Sequence, residues 1–577
     1  MRLNPGWTLA PAQPGLAREL ARALDISPLL SQCLLNRGLS EPSQMDLFLK
    51  PRLKQLADPM LLPEMKIAVD RLLVARERGE RVVIFGDYDV DGVTATALLL
   101  QVLRALGWQV DYYLPHRLEE GYGLSQEGVQ NCLVKFSTTL LLAVDCGSTA
   151  VTAIAWLLER GIDVLVLDHH QCCTPAPLAK ALVNPHRARN GSRVFSELCS
   201  AGLAFKMAHA LVKQMRELDM PIAHAFDLRP CLDLVALGTI ADLVPLTNEN
   251  RILVTSGLER LNRTERPGLK ALKKIARTAS PIGPYEVAFQ LAPRLNAAGR
   301  LENAAQALQL LLAGDSEEAD SIALALDDQN RERQKIERNI VEQVIGAVRA
   351  KFNAETDFVI VEGQLLWHIG VVGIVASRVL REFYRPTIII GGDGLEWRGS
   401  GRSIEGFDLA AALNECKELL LRHGGHAMAA GITITPANVD AFRIKMNELA
   451  RRQLKTEQLQ PSLRLDAEVS LPDLTLDRLQ ELEQIKPTGQ GNPPVHFVTR
   501  GLTLHRPPQP LGKDLARVQG TKLWVTDGFL VLEAVWWGDH DGRLPSGRFD
   551  LAFEPQINEF NGSRSVQLKV LDWKRAG

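Results

Sequence analysis

The sequence predicts a multidomain α/β protein that consists of a parallel-sheet domain, a smaller α/β domain and an all-β module. Between residues 81 and 167, short apolar runs alternate with helix-forming stretches, which is typical of a parallel sheet with helices on both faces. A second, shorter strand–helix pattern follows over residues 357–452, after a long charged helix. Residues 463–577 contain short strands separated by turns, which indicates an all-β module.

The length and composition bound the class of protein. The 577 residues exceed one compact core and, at about 150 residues per domain, predict three or four domains. With 46% hydrophobic and 23% charged residues and a net charge of −2, the chain is neither collagen-like nor wholly disordered, and not a uniformly basic nucleic-acid coat protein. Eight cysteines without a C-x-x-C pair indicate a reducing compartment. Neither a membrane-length apolar run nor a signal-peptide pattern is found, so we expect a cytoplasmic protein without a membrane partner.

The first half of the chain predicts an arm followed by a large domain. Residues 1–75 are irregular with Ala/Leu-rich helical pieces, so we interpret them as an N-terminal arm or cap. Residues 76–314 are predicted as the parallel-sheet domain. Its predicted strands are 82–85, 110–114, 140–144 and 164–167, with helices between them at 93–106, 125–134 and 150–160.

The second half predicts three further parts. Residues 315–352 carry apolar residues at helical spacing among many charges, and we interpret them as a connecting helix. Residues 353–455 are predicted as the smaller α/β domain, with strands at 358–361 and 387–390. Residues 463–577, with strands such as 522–525 and 566–570, are predicted as a small barrel.

An acidic loop follows the first strand of the large domain. In Gly86-Asp87-Tyr88-Asp89-Val90-Asp91-Gly92 three carboxylates alternate, and on an extended segment Asp89 and Asp91 would point into one small volume. Carboxylates this close repel unless cations hold them. A solvated turn is the alternative, and an EF-hand is excluded because a strand precedes the loop and Leu98 stands where its glutamate is needed.

The other strand ends are also polar. Asp145 follows the strand at 140–144, Asp168-His169-His170 follow the strand at 164–167, and Asp242 ends the helical stretch GTIAD. Ligands meet at the carboxyl ends of parallel strands, so these side chains are expected to lie together. Carboxylates and imidazole without thiolate favour Mn²⁺ or Mg²⁺ over structural zinc. Two such ions about 4 Å apart suit phosphoryl chemistry.

These segments, GDYDVDG, AVDCG, DHH and GTIAD, resemble the four motifs of the DHH phosphoesterase superfamily in order and spacing. Within it, the match is closest to the RecJ family, the single-strand-specific 5′→3′ DNA exonucleases of bacteria. The resemblance implies two Mn²⁺ or Mg²⁺ ions, with Asp145 bridging them, and five metal ligands: Asp89, Asp91, Asp145, His169 and Asp242. It also implies positioning or catalytic roles beside the metal for Asp87, Asp168 and His170. Many family members have a histidine where this chain has Phe85, so one ion would have fewer protein ligands.

Basic and glycine-rich segments follow in the rest of the chain. Pro293–Arg300 (PRLNAAGR), Trp397–Ser403 (WRGSGRS) and residues 422–431 combine arginine or histidine with small residues, as anion-binding loops do. Solvated arginines at a helix end are the alternative. By resemblance, residues 353–455 are the DHH-associated domain, and seven residues would bind nucleic-acid phosphates: Arg117, Arg294, Asn296, Arg300, Ser400, Arg402 and His426. His368 matches a further family segment and is predicted to be structural.

The C-terminal module resembles an OB-fold, which commonly binds single strands through stacked aromatic rings. Its candidates for stacking, each of which could instead belong to the core, are Trp524, Phe529, Trp536, Trp537 and Phe560. The predicted function is therefore a two-metal, single-stranded-DNA exonuclease of recombination and repair, with a single-strand-binding protein and a helicase as further partners. The alternatives are another DHH phosphoesterase, acting on oligoribonucleotides or pyrophosphate, and a non-catalytic strand-binding relative.

Overall fold

The structure, a computed structural model, describes residues 5–116, 120–121, 123–188, 194–301, 303–392, 394–512, 520–538 and 543–576. The chain forms two compact units. The parallel-sheet unit contains Leu47–Arg333 and Pro487–Pro493, and the mixed-sheet unit contains Met1–Asp46, Gln334–Lys486 and Pro494–Gly577. Within the described ranges, no helix is both long enough and apolar enough to cross a membrane.

The parallel-sheet unit is built on five parallel strands, of which the sequence predicted the first four along the chain and missed Ala181–Val183. Side by side, the strands are Gln109–Tyr113, Arg81–Phe85, Leu140–Val144, Asp163–Leu167 and Ala181–Val183. From Arg81–Phe85 the chain adds one strand on one side and then continues on the other, which makes this strand the switch point of the sheet. Loops that follow strands at a switch point border the crevice where ligands bind in open α/β sheets.

Side chains that alternate along the strands contribute to two apolar cores, one on each face of the sheet. Val82 and Ile84 belong to the apolar core on one face of the sheet, whereas Val83 and Phe85 belong to the core on the other face. Successive strand residues point to opposite faces, so a strand buried on both faces is apolar throughout. This explains why the run Val82-Val83-Ile84-Phe85 contains no polar residue.

Helices cover both faces of this sheet and complete the unit. The second face carries Gln126–Lys135 and Val151–Leu158, whose apolar residues join the smaller core. The other helices are Met65–Glu77, Val90–Ala105, Ser200–Glu217, Pro221–Ala225, Leu232–Ala241, Asn248–Asn262, Pro267–Ala276, Pro284–Glu286, the π-helical turn Val287–Leu291, Ala292–Leu301 and Ala305–Leu312. The predicted connecting helix is Ser316–Lys351, and the division between the two units falls inside it.

The mixed-sheet unit contains the second α/β layer. Its five strands lie in the order Arg422–Gly425, Ala429–Ile434, Trp397–Arg402, Thr387–Gly392 and Ile360–Leu365. Only the last pair is parallel. The helices Val372–Phe383, Leu409–Glu415 and Val439–Gln453 pack against the sheet and form its apolar cores.

The C-terminal module is a closed sheet of the predicted OB type. Phe497–Leu511 pairs with Gly520–Thr526 along one part of its length and with Phe549–Phe560 along another. Val531–Trp537 pairs in parallel with Ser563–Arg575, which closes the sheet. The two-residue strand Ala467–Glu468 extends it at the edge, and the helix Leu476–Leu482 contacts it.

The N-terminal residues are better ordered than an irregular arm. Gly6–Leu9 forms a strand that pairs in parallel with Ser462–Leu465, at the entry to the OB module. Three helices follow, Pro14–Leu24, Pro28–Leu35 and Pro42–Leu49. Arg37 lies 3.3 Å from Asp466 across the same junction. This pairing joins residues more than 450 positions apart, which local sequence patterns do not encode.

Candidate metal centre

The acidic loop adopts a different local geometry from the extended one that we predicted. The helix Val90–Ala105 begins directly after Asp89, whose carboxylate accepts a hydrogen bond from Gly92 N at 3.0 Å. Asp91 therefore lies in the first helical turn, beside the positive end of the helix dipole. Asp89 and Asp91 consequently contribute to separate ligand groups rather than to one.

The structure brings the predicted strand-end residues together in three overlapping groups. In each group, one ligand atom per residue lies within 4.8 Å of the others. The groups are Asp87–Asp89–Asp145, Asp91–His169–Asp242 and Asp145–His169–His170. Asp145 and His169 each belong to two groups. A carboxylate shared in this way is suited to bridge two ions.

His169 supplies the observation that tests whether a cation fits. Its Nε2 atom is buried and has no hydrogen-bond partner among the described residues. It lies 3.5 Å from Asp145 Oδ1, 3.6 Å from Asp242 Oδ2 and 3.8 Å from Asp91 Oδ2. Burial, followed by the neighbouring His170, lowers the pKa of His169 to about 4, so the imidazole is neutral at pH 7. A neutral nitrogen aimed at three carboxylates fits a divalent cation.

The carboxyl groups of the centre resist ionisation because they are buried close to one another. Burial and the charge of Asp89 raise the pKa of Asp91 to about 6, and burial with the charges of Asp91 and Asp89 raises that of Asp242 to about 9. Burial and the surrounding aspartates also hold the pKa of Asp145 well above its usual value. Without a cation, ionising these groups together is costly. A pair of divalent ions would remove that cost.

Asp145 is also fixed by its backbone and by a hydroxyl group. Its φ is 64°, in the left-handed region, and Ser200 Oγ donates a hydrogen bond to its Oδ1 at 2.8 Å. The N-terminal amides of the helix Ser200–Glu217 bind Asp91, through Ser200 N at 2.7 Å and Ala201 N at 2.8 Å. Sequence reasoning missed Ser200, because a serine at a helix start is common and nothing local connects it with the acidic loop.

Asp168 and His170 form a hydrogen-bonded pair beside the centre. His170 Nδ1 lies 2.8 Å from Asp168 Oδ1, and Ser148 N donates to Asp168 Oδ2 at 2.9 Å. Burial lowers the pKa of His170, but the hydrogen bond and charge of Asp168 outweigh burial and raise it to about 9. His170 therefore carries a positive charge at neutral pH.

Phe85 is a core residue. Its ring is fully buried and stacks on Tyr113 with 5.4 Å between ring centroids. The side chain therefore belongs to the support of the acidic loop and offers no ligand atom.

The predicted phosphate-binding residues in the parallel-sheet unit contact protein groups. Arg294 Nε donates to Asp327 at 2.8 Å and its Nη1 donates to Gln290 O at 2.5 Å. Asn296 Oδ1 accepts from Val90 N at 3.2 Å, so it holds the acidic loop. Arg300 lies in the last turn of the same helix, Ala292–Leu301. The predicted residue Arg117 lies outside the described residues.

The predicted residues of the mixed-sheet unit lie around one strand. Arg402 Nη1 donates to Ser400 Oγ at 3.0 Å, and both stand on Trp397–Arg402 beside Gly373. His426 is exposed in the hairpin between Arg422–Gly425 and Ala429–Ile434, and its backbone N donates to Ala429 O. His368 accepts from Gly370 N at 3.1 Å, in agreement with a structural role.

The aromatic candidates of the OB module differ in exposure. Phe529 and Phe560 lie at hairpin ends and are 97% and 69% exposed, while Trp537 is 54% exposed. Trp524 is partly covered by the guanidinium of Arg506, 3.4 Å from the ring centroid, and Trp536 is partly buried. None of the five is a fully buried core residue.

Comparison with known proteins places these features in a family. The DHH family N-terminal domain matches residues 81–239, the DHHA1 domain residues 355–452, and the RecJ OB domain residues 465–572. The single-stranded-DNA-specific exonuclease RecJ of Dickeya dadantii is 35% identical over 94% of this chain and 95% of its own. The chain belongs to the RecJ family.

Other RecJ proteins match over similar lengths. RecJ of Bacillus subtilis is 36% identical, with 98% of this chain and 70% of that protein covered. The crystal structure of Thermus thermophilus RecJ in complex with Mn²⁺ superimposes with a TM-score of 0.83 at 29% identity, covering 99% of this chain and 80% of that one. The predicted fold class, with a parallel-sheet domain, a DHH-associated domain and an OB module, is thereby confirmed.

Proposed function

We propose that this RecJ-family chain is a metal-dependent exonuclease that hydrolyses single-stranded DNA from the 5′ end, in DNA recombination and repair in the cytoplasm. The observation that carries the proposal is the buried, hydrogen-bond-free Nε2 of His169 surrounded by three carboxylates. Its support from relatives is the name shared by the Bacillus and Dickeya proteins, single-stranded-DNA-specific exonuclease.

We assign two Mn²⁺ or Mg²⁺ ions to the overlapping ligand groups. Their ligands would be Asp89, Asp91, Asp145, His169 and Asp242, with Asp145 bridging. Bound ions of this kind lower the pKa of water and neutralise charge on the phosphate. Carboxylate oxygens and neutral imidazole suit these hard and borderline cations.

The remaining residues of the centre would handle the phosphate and its protons. In our proposal, His170 donates from its Nε2 to a phosphate oxygen, while Asp168 holds its Nδ1 and keeps the ring cationic. Asp87, fully buried after the strand Arg81–Phe85, orients the loop and the attacking water. These roles require that the ring of His170 keeps its orientation, which Asn184 supports by donating to His170 O at 2.8 Å.

The strand itself would be held by basic and small side chains. We assign Ser400, Arg402 and His426 to the terminal 5′ phosphate and backbone, with Arg117 and Arg300 as further contacts. For these two residues of the parallel-sheet unit we propose a supporting role, because Arg294 is bound to Asp327 in the long helix and Asn296 accepts a hydrogen bond from Val90 N of the acidic loop. A single-strand-binding protein and a helicase are proposed as partners.

The test is digestion of 5′- and 3′-labelled single-stranded DNA with Mn²⁺ or Mg²⁺. We compare the wild type with Asp145→Asn, since asparagine tolerates the left-handed backbone at this position. We expect a loss of at least 100-fold in kcat, as for the removal of a metal ligand. Asp111→Asn is the matched control, because Asp111 pairs with Arg81 outside the ligand groups. Equal digestion by wild type and Asp145→Asn contradicts the mechanism, and release of label from the 3′ end first contradicts the polarity.

A further inference from the structure

We propose that Tyr285 and Phe289, together with Arg263 and Arg277, form a second binding surface for single-stranded nucleic acid on the parallel-sheet unit. The two rings are 63% and 60% exposed, and their centroids lie 4.9 Å apart. Adjacent exposed aromatic side chains form an apolar patch, and such patches often mark interaction sites. The inference rests on the proposed function in taking a single strand as the ligand.

The pair stands on a rigid support. Gly283 N donates to Glu286 at 2.8 Å at the start of the helical run that carries both rings. Val287 and Leu291 anchor the π-helical turn in the main core, so its opposite side carries the rings outward. Rings fixed in this way lose little conformational entropy when a base stacks on them. π-Helical turns also occur frequently at functional sites.

The neighbouring segment supplies positive charge. Residues 260–277 contain seven basic residues and one acidic residue, Glu265. The helix Pro267–Ala276 packs against the π-helical turn, and Asn262 joins the two segments through bonds with Ile282 N and O at 2.7 and 2.9 Å. The aromatic pair and the basic segment are therefore neighbours in the fold.

Part of this positive charge is already neutralised by ion pairs within the protein, so fewer basic residues are candidates for binding phosphates. Lys270 pairs with Glu265, and Lys274 pairs with Asp320 at 2.6 Å. Arg266 is bound to Asp233. Arg263 and Arg277 are exposed and have no ion pair within the described part of the chain. Arg260 is also exposed, and Lys273 donates to the backbone carbonyls of Leu261 and Asn262 at 3.1 and 3.2 Å. We assign the phosphate contacts to Arg263 and Arg277.

The combination of exposed aromatic rings and arginines indicates which ligand binds this surface. Bases stack on aromatic rings whatever their identity, and cationic groups beside the rings follow the phosphate backbone. The same helical run continues from Tyr285 to Asn296, which accepts a hydrogen bond from the acidic loop and lies roughly 16 Å further along at 1.5 Å per residue. A strand of only a few nucleotides bound at the metal centre would not reach the aromatic pair, whereas a longer strand would. Exposed rings beside these arginines match the alternation of bases and phosphates in a single strand, so nucleic acid is favoured over a protein partner.

The experiment measures binding of fluorescent oligothymidylate by the full chain in EDTA, where no digestion occurs. For an oligomer of about 30 nucleotides, we expect Tyr285→Ala/Phe289→Ala to raise Kd about tenfold, since one stacked base is lost. An oligomer of about six nucleotides should bind either protein within twofold. Arg263→Ala/Arg277→Ala should reduce the slope of log Kd against log salt by about 1.4, from two phosphate contacts.

Two controls separate stacking from general damage. Tyr285→Phe/Phe289→Tyr keeps both rings and should bind like the wild type, while Leu218→Ala removes an exposed apolar side chain elsewhere on the same unit. Unchanged affinity of the alanine pair for the long oligomer, or an equal loss with Leu218→Ala, overturns the proposal and leaves a protein partner as the occupant. Failure of the wild type to digest DNA with Mn²⁺ would instead reject the proposed function.

Discussion

At the residue scale, the metal centre is assembled at a cost to the stability of the ion-free fold. Asp145 is fully buried among like charges, and its backbone has a positive φ. Such destabilising arrangements persist at functional sites because the favourable free energy of ligand binding offsets their cost in stability.

The first prediction follows from this cost. Asp145→Asn should raise the melting temperature of the metal-free protein by about 2–4 °C, because it removes one of the repelling carboxylates and keeps the hydrogen bond from Ser200. The same substitution should abolish the stabilisation by Mn²⁺ that the wild type shows. Calorimetry with and without Mn²⁺ measures both. A lower melting temperature of the metal-free variant would argue against repulsion at this position.

At the element scale, the helix Ala292–Leu301 acts as a support for the acidic loop. Asn296 bonds to Val90 N, and one turn later Gly299 faces Tyr88, where an added Cβ would come 2.6 Å from Tyr88 O. The absence of a side chain at Gly299 thus permits close packing of helix and loop.

The second prediction tests that packing. Gly299→Ala should reduce exonuclease activity at least tenfold and destabilise the protein by about 2 kcal/mol, because the loop must move. Gly346→Ala is the control, since nothing lies within 4 Å of its added Cβ in the long helix. That variant should gain up to about 1 kcal/mol from helix propensity without a change in activity. Equal activities of the two variants would contradict the supporting role of the helix.

A second element-scale feature ties the helix Met65–Glu77 to the sheet. Arg71 donates to Asp163 and to Glu80, each at 2.6 Å. Burial raises the pKa of Glu80, but hydrogen bonds from Arg71 and Thr139 outweigh burial and lower it. A lowered pKa in the folded state stabilises the protein above the unfolded pKa of about 4.5, and this stabilisation is lost as the pH falls through the folded value.

The third prediction is the pH dependence of this pair. Arg71→Met should cost about 2 kcal/mol in the free energy of unfolding at pH 7, and the difference from the wild type should shrink below about pH 4. Urea unfolding at several pH values measures this. Arg78→Met, which removes an exposed arginine 3.8 Å from the same carboxylate, should cost under about 0.5 kcal/mol. A difference that does not vary with pH would show that the loss comes from packing instead.

At the scale of the whole molecule, pairing between distant segments completes the mixed-sheet unit. Trp7 Nε1 donates to Asp572 Oδ2 at 2.7 Å, and the strand that contains Trp7 pairs with Ser462–Leu465. The N-terminal residues therefore contribute to the stability of the OB module.

The fourth prediction concerns this attachment. Trp7→Ala should destabilise the OB module by about 3 kcal/mol, because it removes a large aromatic contact and leaves Asp572 without its donor. Hydrogen exchange should show faster opening of the strands Phe549–Phe560 and Ser563–Arg575. Protection of the sheet around Leu140–Val144, in the parallel-sheet unit, should not change. Uniformly faster exchange throughout the chain would contradict a local attachment.

Several features were determined by the sequence alone. Apolar runs such as Leu140–Val144 predicted the parallel strands, and the acidic residues after them predicted the metal centre, because strand periodicity and strand ends are local properties. The family motifs predicted the order of the domains. The domain boundaries and the roles of the individual site residues stay predictions.

Only the tertiary structure decided which distant groups meet. The hydrogen bond from Ser200 to Asp145, the bond between Asn296 and Val90, and the buried ion pair of Lys206 with Glu249 join residues far apart in the chain. The ion pair of Arg294 with Asp327, which lies on another helix, is a further contact of this kind. Local propensity carries no information about such long-range contacts, because they depend on how whole elements pack.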